Sequence, residues 1–326
     1  MRIFVAGATG VIGRRLVPML VGNCHNVTAM TRSADKAPAI EAQGAEAAVT
    51  DVFDAERLTE AVGAARPEAV IDQLTDLPKA MNPRKAETEL AGNDRIRTEG
   101  TANLVAAARA AGASAFIAQS IAFAYRNDGD GLKTEDDPLA LDAAWPWRRS
   151  VEALRDLETA TTGTEGLRGV ALRYGFFYGP GTSFDTAGGS TAHMVRKRRY
   201  PVVGSGGGVF SFVHVDDAAR AAVLAADGDV SGVFNVADDE PAPLRNWLPV
   251  YAEAIGAKPP RRAPAFIARL AAGKQTAELA TELRGVSNAK AKRELGWEPQ
   301  YPTWRTGFAT AGSDEAPAPH IAGASV

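Results

Sequence analysis

Residues 2–13 read Arg2-Ile3-Phe4-Val5-Ala6-Gly7-Ala8-Thr9-Gly10-Val11-Ile12-Gly13. Residues 2–6 read as a short buried strand, apolar from Ile3 to Ala6. Beyond Gly13, the residues Leu16, Val17 and Leu20 recur at helical spacing. A glycine-rich turn between a first strand and a helix is the setting of a phosphate-binding loop. Glycines let the backbone turn sharply and approach a pyrophosphate, and the unpaired N–H groups of the helix start face its charge. The first gap between glycines is one residue wider than in the common dinucleotide fingerprint. Gly7, Thr9, Gly10, Val11, Ile12 and Gly13 are therefore the first candidate cofactor residues.

A second strand, Asn26–Met30, runs into Thr31-Arg32-Ser33. In a dinucleotide fold an acidic residue about 20 positions past the glycines holds the ribose 2′-hydroxyl of NAD. Here no carboxylate stands there to repel a 2′-phosphate. Arg32 supplies a charged fork and Ser33 a hydroxyl donor, so NADP(H) is favoured over NAD(H). A solvated loop arginine is the alternative.

The βα alternation continues. Ala45–Val49 leads to Asp51 and Val52, and Ala69–Ile71 to Asp72-Gln73-Leu74-Thr75. A helix spans Thr98–Ala111. Ala115–Ala118 ends at Gln119-Ser120, and Val170–Leu172 follows. This pattern predicts an α/β protein: a Rossmann-type doubly wound parallel sheet with a smaller C-terminal substrate lobe. Ligands in such sheets sit at the carboxyl ends of the strands. Asp51, Val52, Gln73, Leu74 and Thr75 thus join Arg32 and Ser33 as cofactor candidates, and Gln119 becomes a substrate candidate. The expected division places 1–175 and 210–237 in the dinucleotide domain and 176–209 and 238–308 in the lobe. Residues 310–326, rich in Ala, Gly, Ser and Pro, read as a disordered tail.

Among 326 residues, 36 Lys and Arg face 39 Asp and Glu, a net charge of −3. That balance argues against a nucleic-acid partner, and the run Arg196-Lys197-Arg198-Arg199 reads as an exposed helix end. The single Cys24 excludes an intrachain disulfide, and the four histidines lack metal-ligand spacing. No apolar stretch reaches the roughly 20 residues of a membrane span. The expectation is a cytoplasmic, metal-free protein with a small-molecule substrate and no membrane partner; a homodimer is possible on this reading.

Four segments resemble the extended short-chain dehydrogenase/reductases, the group of sugar-nucleotide epimerases and dehydratases. They are Gly7–Gly13, Arg173–Gly181, Phe212-Val213-His214-Val215-Asp216-Asp217, and Ala289–Pro299 with its Leu295-Gly296-Trp297. The resemblance spans about residues 1–308. It implies hydride chemistry assisted by a Tyr-x-x-x-Lys pair and an upstream Ser or Thr. No Tyr-x-x-x-Lys occurs in this sequence. Aligned on the family helix, Trp147 takes the Tyr place and Val151 the Lys place, and neither can exchange a proton. The chain thus resembles an atypical member. Phe210 and Ser211 replace the Arg-Asp pair that meets a diphosphate, and Phe176 replaces a common Asn, so an apolar substrate is expected over a sugar nucleotide.

Ser120, Tyr125, Tyr178 and Lys133 are then the candidate catalytic groups, and Trp147, Phe176 and His193 join Gln119 around the substrate. The reading is an NADP(H)-dependent oxidoreductase acting on a small, fairly apolar carbonyl, enone or alcohol. A non-redox isomerase, dehydratase or cyclase on the same fold is an alternative, and an NADP(H)-sensing binding protein is another.

Overall fold

The computed structural model describes residues 1–78, 81–82 and 85–310. In chain order the first half contains β1 (Arg2–Ala6), α1 (Gly13–Gly22), β2 (Asn26–Thr31), α2 (Ala37–Glu41), β3 (Glu46–Val49), α3 (Ala55–Ala65), β4 (Ala69–Asp72), α4 (Ala86–Arg95), a π-helical turn (Ile96–Gly100), α5 (Thr101–Ala110), β5 (Ala115–Ile121) and α6 (Trp147–Thr162). The second half contains β6 (Arg168–Tyr174), β7 (Phe176–Tyr178), α7 (Ser190–Arg196), β8 (Val202–Val203), β9 (Val209–Phe210), β10 (Phe212–His214), α8 (Val215–Asp227) and β11 (Gly232–Val236). β12 (Ala242–Pro243), α9 (Leu244–Ala254), β13 (Arg262–Ala263), α10 (Ala265–Ala272), α11 (Lys274–Thr281), α12 (Ala289–Leu295) and α13 (Trp304–Thr310) complete it.

Seven parallel strands form one sheet in the order β11-β6-β5-β4-β1-β2-β3. Its central strands are apolar on both faces because both are covered. Phe4, Val70 and Phe116 point to one side, where they meet Leu104 of α5 and Leu157 of α6. Val5, Ile71 and Ile117 point to the other, against Leu16 of α1 and Ala222 of α8. The strand order reverses between β1 and β4, so a crevice opens at their carboxyl ends, where such sheets bind ligands.

A second core gathers aromatic side chains beyond those strand ends. Phe184, Phe212, Trp247, Tyr251 and Phe308 pack largely edge to face. Three short strand pairs, β7 with β10, β9 with β12 and β8 with β13, tie this layer together.

Several expectations are corrected. β5 continues to Ile121, which pairs with Tyr174 of a longer β6, so Gln119 and Ser120 lie inside the strand instead of after it. The helix expected over 98–111 is α4 and α5 joined by the π-helical turn. Ala291, Leu295 and Trp297 pack with the sheet's core, whereas Phe210 and Phe212 pack in the second one. The expected tail lies, from residue 311 onward, outside the described residues.

The two later family-like segments form one clamp. The Asp217 carboxylate accepts the backbone N–H groups of Gln300 (2.8 Å) and Tyr301 (2.9 Å), and its carbonyl accepts Trp297 Nε1–H at 2.9 Å. An acid at the start of α8 also suits the positive end of the helix dipole. The motif pair thus anchors the C-terminal segment to the sheet.

Candidate active site

The loop from Gly7 to Gly13 is closed by its own backbone. Gly7 has φ +87°, and a Cβ there would lie 2.5 Å from the Gln73 carbonyl oxygen. A Cβ on Gly13 would lie 2.3 Å from the Gly7 carbonyl. Both positions therefore require glycine, and the result is α1 seated tightly against the end of β1. Gly10 is exposed, and a Cβ on it would meet only the Gly7 carbonyl, at 3.2 Å. Thr9 and Val11 are half-buried and Ile12 is buried. Arg15 of α1, which sequence reasoning passed over, braces the cradle. It donates to Asp216 (2.6 Å), to the Val11 carbonyl (3.1 Å) and to the Pro180 carbonyl (3.0 Å).

Arg32 follows β2 and is exposed, and its guanidinium makes no hydrogen bond or ion pair among the described residues. Ser33 donates its backbone N–H to Thr31 Oγ1 at 3.2 Å. Asp51 accepts the N–H of Phe53 at 3.0 Å, and the buried Val52 gives its carbonyl to Asn103. After β4, Gln73 is buried, Leu74 half-buried and Thr75 exposed. Gln73 lies beside the Tyr174 hydroxyl, which donates to the Ala218 carbonyl. Neither Oε1 nor Nε2 of Gln73 reaches hydrogen-bond geometry with the protein. A buried amide whose contact with the Tyr174 hydroxyl falls short of hydrogen-bond geometry fits, beside a glycine cradle, a ligand with polar groups of its own. A nicotinamide dinucleotide would be held there by the Gly7–Gly13 backbone, with Arg32 and Gln73 toward its two ends.

Asp72, the last residue of β4, is fully buried. Burial pushes its carboxyl up to about 6, against the opposing effect of hydrogen bonds from the Leu74 N–H (3.0 Å) and Thr101 Oγ1 (3.3 Å). It fixes the turn that presents Gln73.

Three of the four catalytic candidates, Ser120, Tyr125 and Lys133, are bonded within the protein, and the fourth, Tyr178, is buried with its hydroxyl unpartnered among the described residues. Ser120 Oγ donates to Glu158 of α6 at 2.7 Å, because its place inside β5 turns it under the helix. Glu158 is gripped by Arg173 through Nε (2.7 Å) and Nη2 (2.6 Å). Arg173 Nη1 donates to the Tyr125 hydroxyl at 2.6 Å, which donates to Asn235 at 2.8 Å. Burial pushes the Tyr125 hydroxyl up to about 12 despite Arg173. Tyr178 is fully buried among Phe212, His214 and Phe308, and burial raises its hydroxyl well above the usual range. Lys133 pins its own loop, through Asp128 (3.0 Å) and Asp137 (3.2 Å). His193 is exposed on α7, and Gln119 is half-buried within β5.

Trp147 and Phe176 do come together, through a residue not foreseen. Phe123, two positions past β5, lies 4.2 Å centroid to centroid from Phe176 at 12° and 6.4 Å from Trp147 at 9°. Phe210 continues the wall, 4.8 Å from Phe176. Beside it is a shallow recess, with no enclosed room for a water-sized sphere, lined by Ala122, Phe123, Phe176, Ser211, Arg284 and Val286, among others. Two of its polar members bond to backbone: Ser211 Oγ accepts the Val286 N–H at 2.9 Å, and Arg284 Nε donates to the Asn127 carbonyl at 3.3 Å. The wall offers flat π faces, and no carboxyl, imidazole, amine or phenol is among the residues that line the recess.

A doubly wound sheet with a glycine cradle at its strand ends is the arrangement of a dinucleotide-binding fold. The chain belongs to the NAD dependent epimerase/dehydratase family, whose model matches residues 3–237. It is 46% identical over 310 residues to the 3-diazoavenalumate denitrifying reductase of a Streptomyces species, covering 94% of this chain and 99% of that protein. It is 25% identical over 269 residues to the 2-alkyl-3-oxoalkanoate reductase of Stenotrophomonas maltophilia (strain K279a), covering 79% and 76%. In fold it matches the UDP-glucose 4-epimerase of Thermotoga maritima with TM-score 0.74 at 22% identity, covering 95% of this chain and 97% of the other. A human epimerase family protein bound to NADPH matches with TM-score 0.73 at 21% identity, covering 97% and 100%. The protein is an NAD(P)-dependent oxidoreductase. Among its described residues, no helix is long and apolar enough to cross a membrane.

Proposed function

We propose that the protein is an NADPH-dependent reductase that replaces the diazo group of an aryl carboxylate by hydrogen, releasing N₂. The observation that carries this reading is the Trp147–Phe123–Phe176 wall, beside whose recess no carboxyl, imidazole, amine or phenol is among the lining residues. Reducing a ketone creates an alkoxide that must be protonated, and a positioned acid there is worth about 10²–10⁴ in rate. Reducing an aryl diazonium carbon needs no such partner. The dihydronicotinamide supplies one hydride with its two electrons; the C–N bond breaks, N₂ departs, and hydrogen takes its place on the ring. Charge balances without any proton. The aromatic wall serves this substrate twice. Its faces stack on a planar arene, and their π density favours a cationic ring. The named activity of the 46% identical relative supports the same substrate class.

The test is anaerobic turnover of a diazotised amino-hydroxycinnamate, with NADPH loss and N₂ release followed together. Equal amounts of the two, above the protein-free rate, are expected. Turnover of a 3-oxo acid with none of the diazo compound would overturn the reading.

The preference for NADPH rests on Arg32, whose free guanidinium suits a 2′-phosphate. Arg32→Ala is expected to weaken NADPH binding roughly ten- to a hundredfold, the worth of one charged hydrogen bond, and to leave NADH binding unchanged. Equal effects on both cofactors would remove Arg32 from this role.

A further inference from the structure

Three arginines crowd the buried side of α6, and two carboxylates balance them. Arg173 holds Glu158 through a two-pronged contact. Arg149 donates to Asp94 Oδ2 at 2.8 Å and to the Glu87 carbonyl at 2.6 Å. Arg97 is left over. It is only 8% exposed, its nearest ion-pair contact is Asp94 Oδ1 at 4.0 Å, and its guanidinium makes no hydrogen bond among the described residues. Asn93, one helical turn earlier and 1% exposed, accepts the Asp76 N–H at 3.1 Å through Oδ1 but leaves Nδ2 without a partner. Arg97 and Asn93 Nδ2 therefore share a helix face as unfilled donors, and Asp94 Oδ1, itself without a hydrogen-bond partner, is the acceptor nearest Arg97.

The place of this face follows from the topology. Arg97 lies in the π-helical turn, a feature that often marks functional positions. Thr101, just after that turn, touches Asp72 at the carboxyl end of β4. α5 runs back along the sheet from there, so Arg97, about one turn earlier, lies beyond the strand end at the level of the crevice. Asn93 holds the loop that leaves β4 through Asp76. The π-helical turn packs against α6, whose first residue is Trp147 of the aromatic wall.

A buried guanidinium lacking both hydrogen bonds and a full counter-charge is costly, and an anion relieves it. Burial draws its pKa down to about 10, which leaves it charged at neutral pH. We propose that Arg97, assisted by Asn93 Nδ2, binds the carboxylate of the substrate and so fixes the aryl ring against Trp147 and Phe123. The proposal rests on the aryl-carboxylate reading above. Guanidinium and carboxylate match as a two-pronged pair. The carboxylate in the named substrates of both relatives fits this chemistry.

The test uses the NADPH-loaded full chain and calorimetric titration with 4-hydroxycinnamate and with its methyl ester. The wild type is expected to bind the acid at least tenfold more tightly than the ester. Arg97→Gln removes that difference, Arg97→Lys keeps part of it, and NADPH affinity stays within threefold in both. Acid preference surviving in Arg97→Gln would overturn the proposal. So would its absence in the wild type, or a parallel loss of NADPH binding, which would assign the charge to the cofactor. Should Arg97→Gln not fold, the lysine variant decides: an acid preference undiminished from wild type counts against the site. N₂ release failing while the acid preference holds at Arg97 removes the proposed reaction alone; the reverse removes this site alone.

Discussion

Around Gly7, Gly10 and Gly13 the protein builds its cradle from backbone, whereas around β5, β6 and α6 it buries a chain of polar side chains running from Ser120 through Glu158, Arg173 and Tyr125 to Asn235. The first region is fixed by what is missing, namely side-chain atoms that would collide. The second is fixed by what is present, and each member holds the next. The two respond differently to change. A backbone cradle can lose its ligand while the fold persists, and a buried ion pair cannot lose one partner without leaving the other uncompensated.

The largest effect is therefore expected at Arg173. Arg173→Gln leaves Glu158 buried and unpaired, at a cost of about 3–5 kcal/mol. At roughly 2–4 °C per kcal/mol for a domain of 150–250 residues, the melting temperature should fall by about 6–20 °C. A shift under about 2 °C would mean that the network is not a structural unit.

Gly13→Ala sharpens the contrast from the other side. The added Cβ would lie 2.3 Å from the Gly7 carbonyl, so the loop must open. NADPH affinity is expected to fall about a hundredfold, equivalent to about 2.7 kcal/mol, with a smaller loss of melting temperature than in Arg173→Gln. Unchanged NADPH affinity would show that the cradle does not hold the cofactor.

Ser120→Ala is the smallest. Losing a hydrogen bond to a buried carboxylate should cost about 1.5–3 kcal/mol of stability, but kcat should change less than threefold. A fall of a hundredfold or more would restore Ser120 as a catalytic residue, since that is the scale on which a lost acid shows.

The same contrast explains which parts could be read before the fold was seen. The glycine loop was legible because its requirement is local. A Cβ at Gly7 or Gly13 is excluded by atoms of the loop itself and of the strand beside it. The sheet was legible because strands such as Ile3–Ala6 and Ala69–Ile71 are apolar throughout. The roles of Ser120, Tyr125, Tyr178 and Lys133 were not, since each depends on a partner that sequence spacing does not reveal. Glu158 is 38 residues from Ser120 and Asn235 is 110 from Tyr125. The placing of Ser120 has one further cause: β5 is three residues longer than its apolar run, which puts that side chain on the helix-facing side and not at the strand end. Phe123 carried a signal that could have been used, as an aromatic just past β5 facing another just past β6. Arg97 carried none, because its meaning lies in the lack of a partner.

The central claim is that this crevice delivers a hydride to an aromatic carbon without a protein acid. The direct measurement is the origin of the new ring hydrogen when the diazotised amino-hydroxycinnamate is reduced with NADPH deuterated at C4 on the transferred face in ordinary water, and with unlabelled NADPH in D₂O. The account predicts one deuterium on the ring carbon that carried nitrogen in the first case and none in the second. Deuterium drawn from the solvent would contradict it.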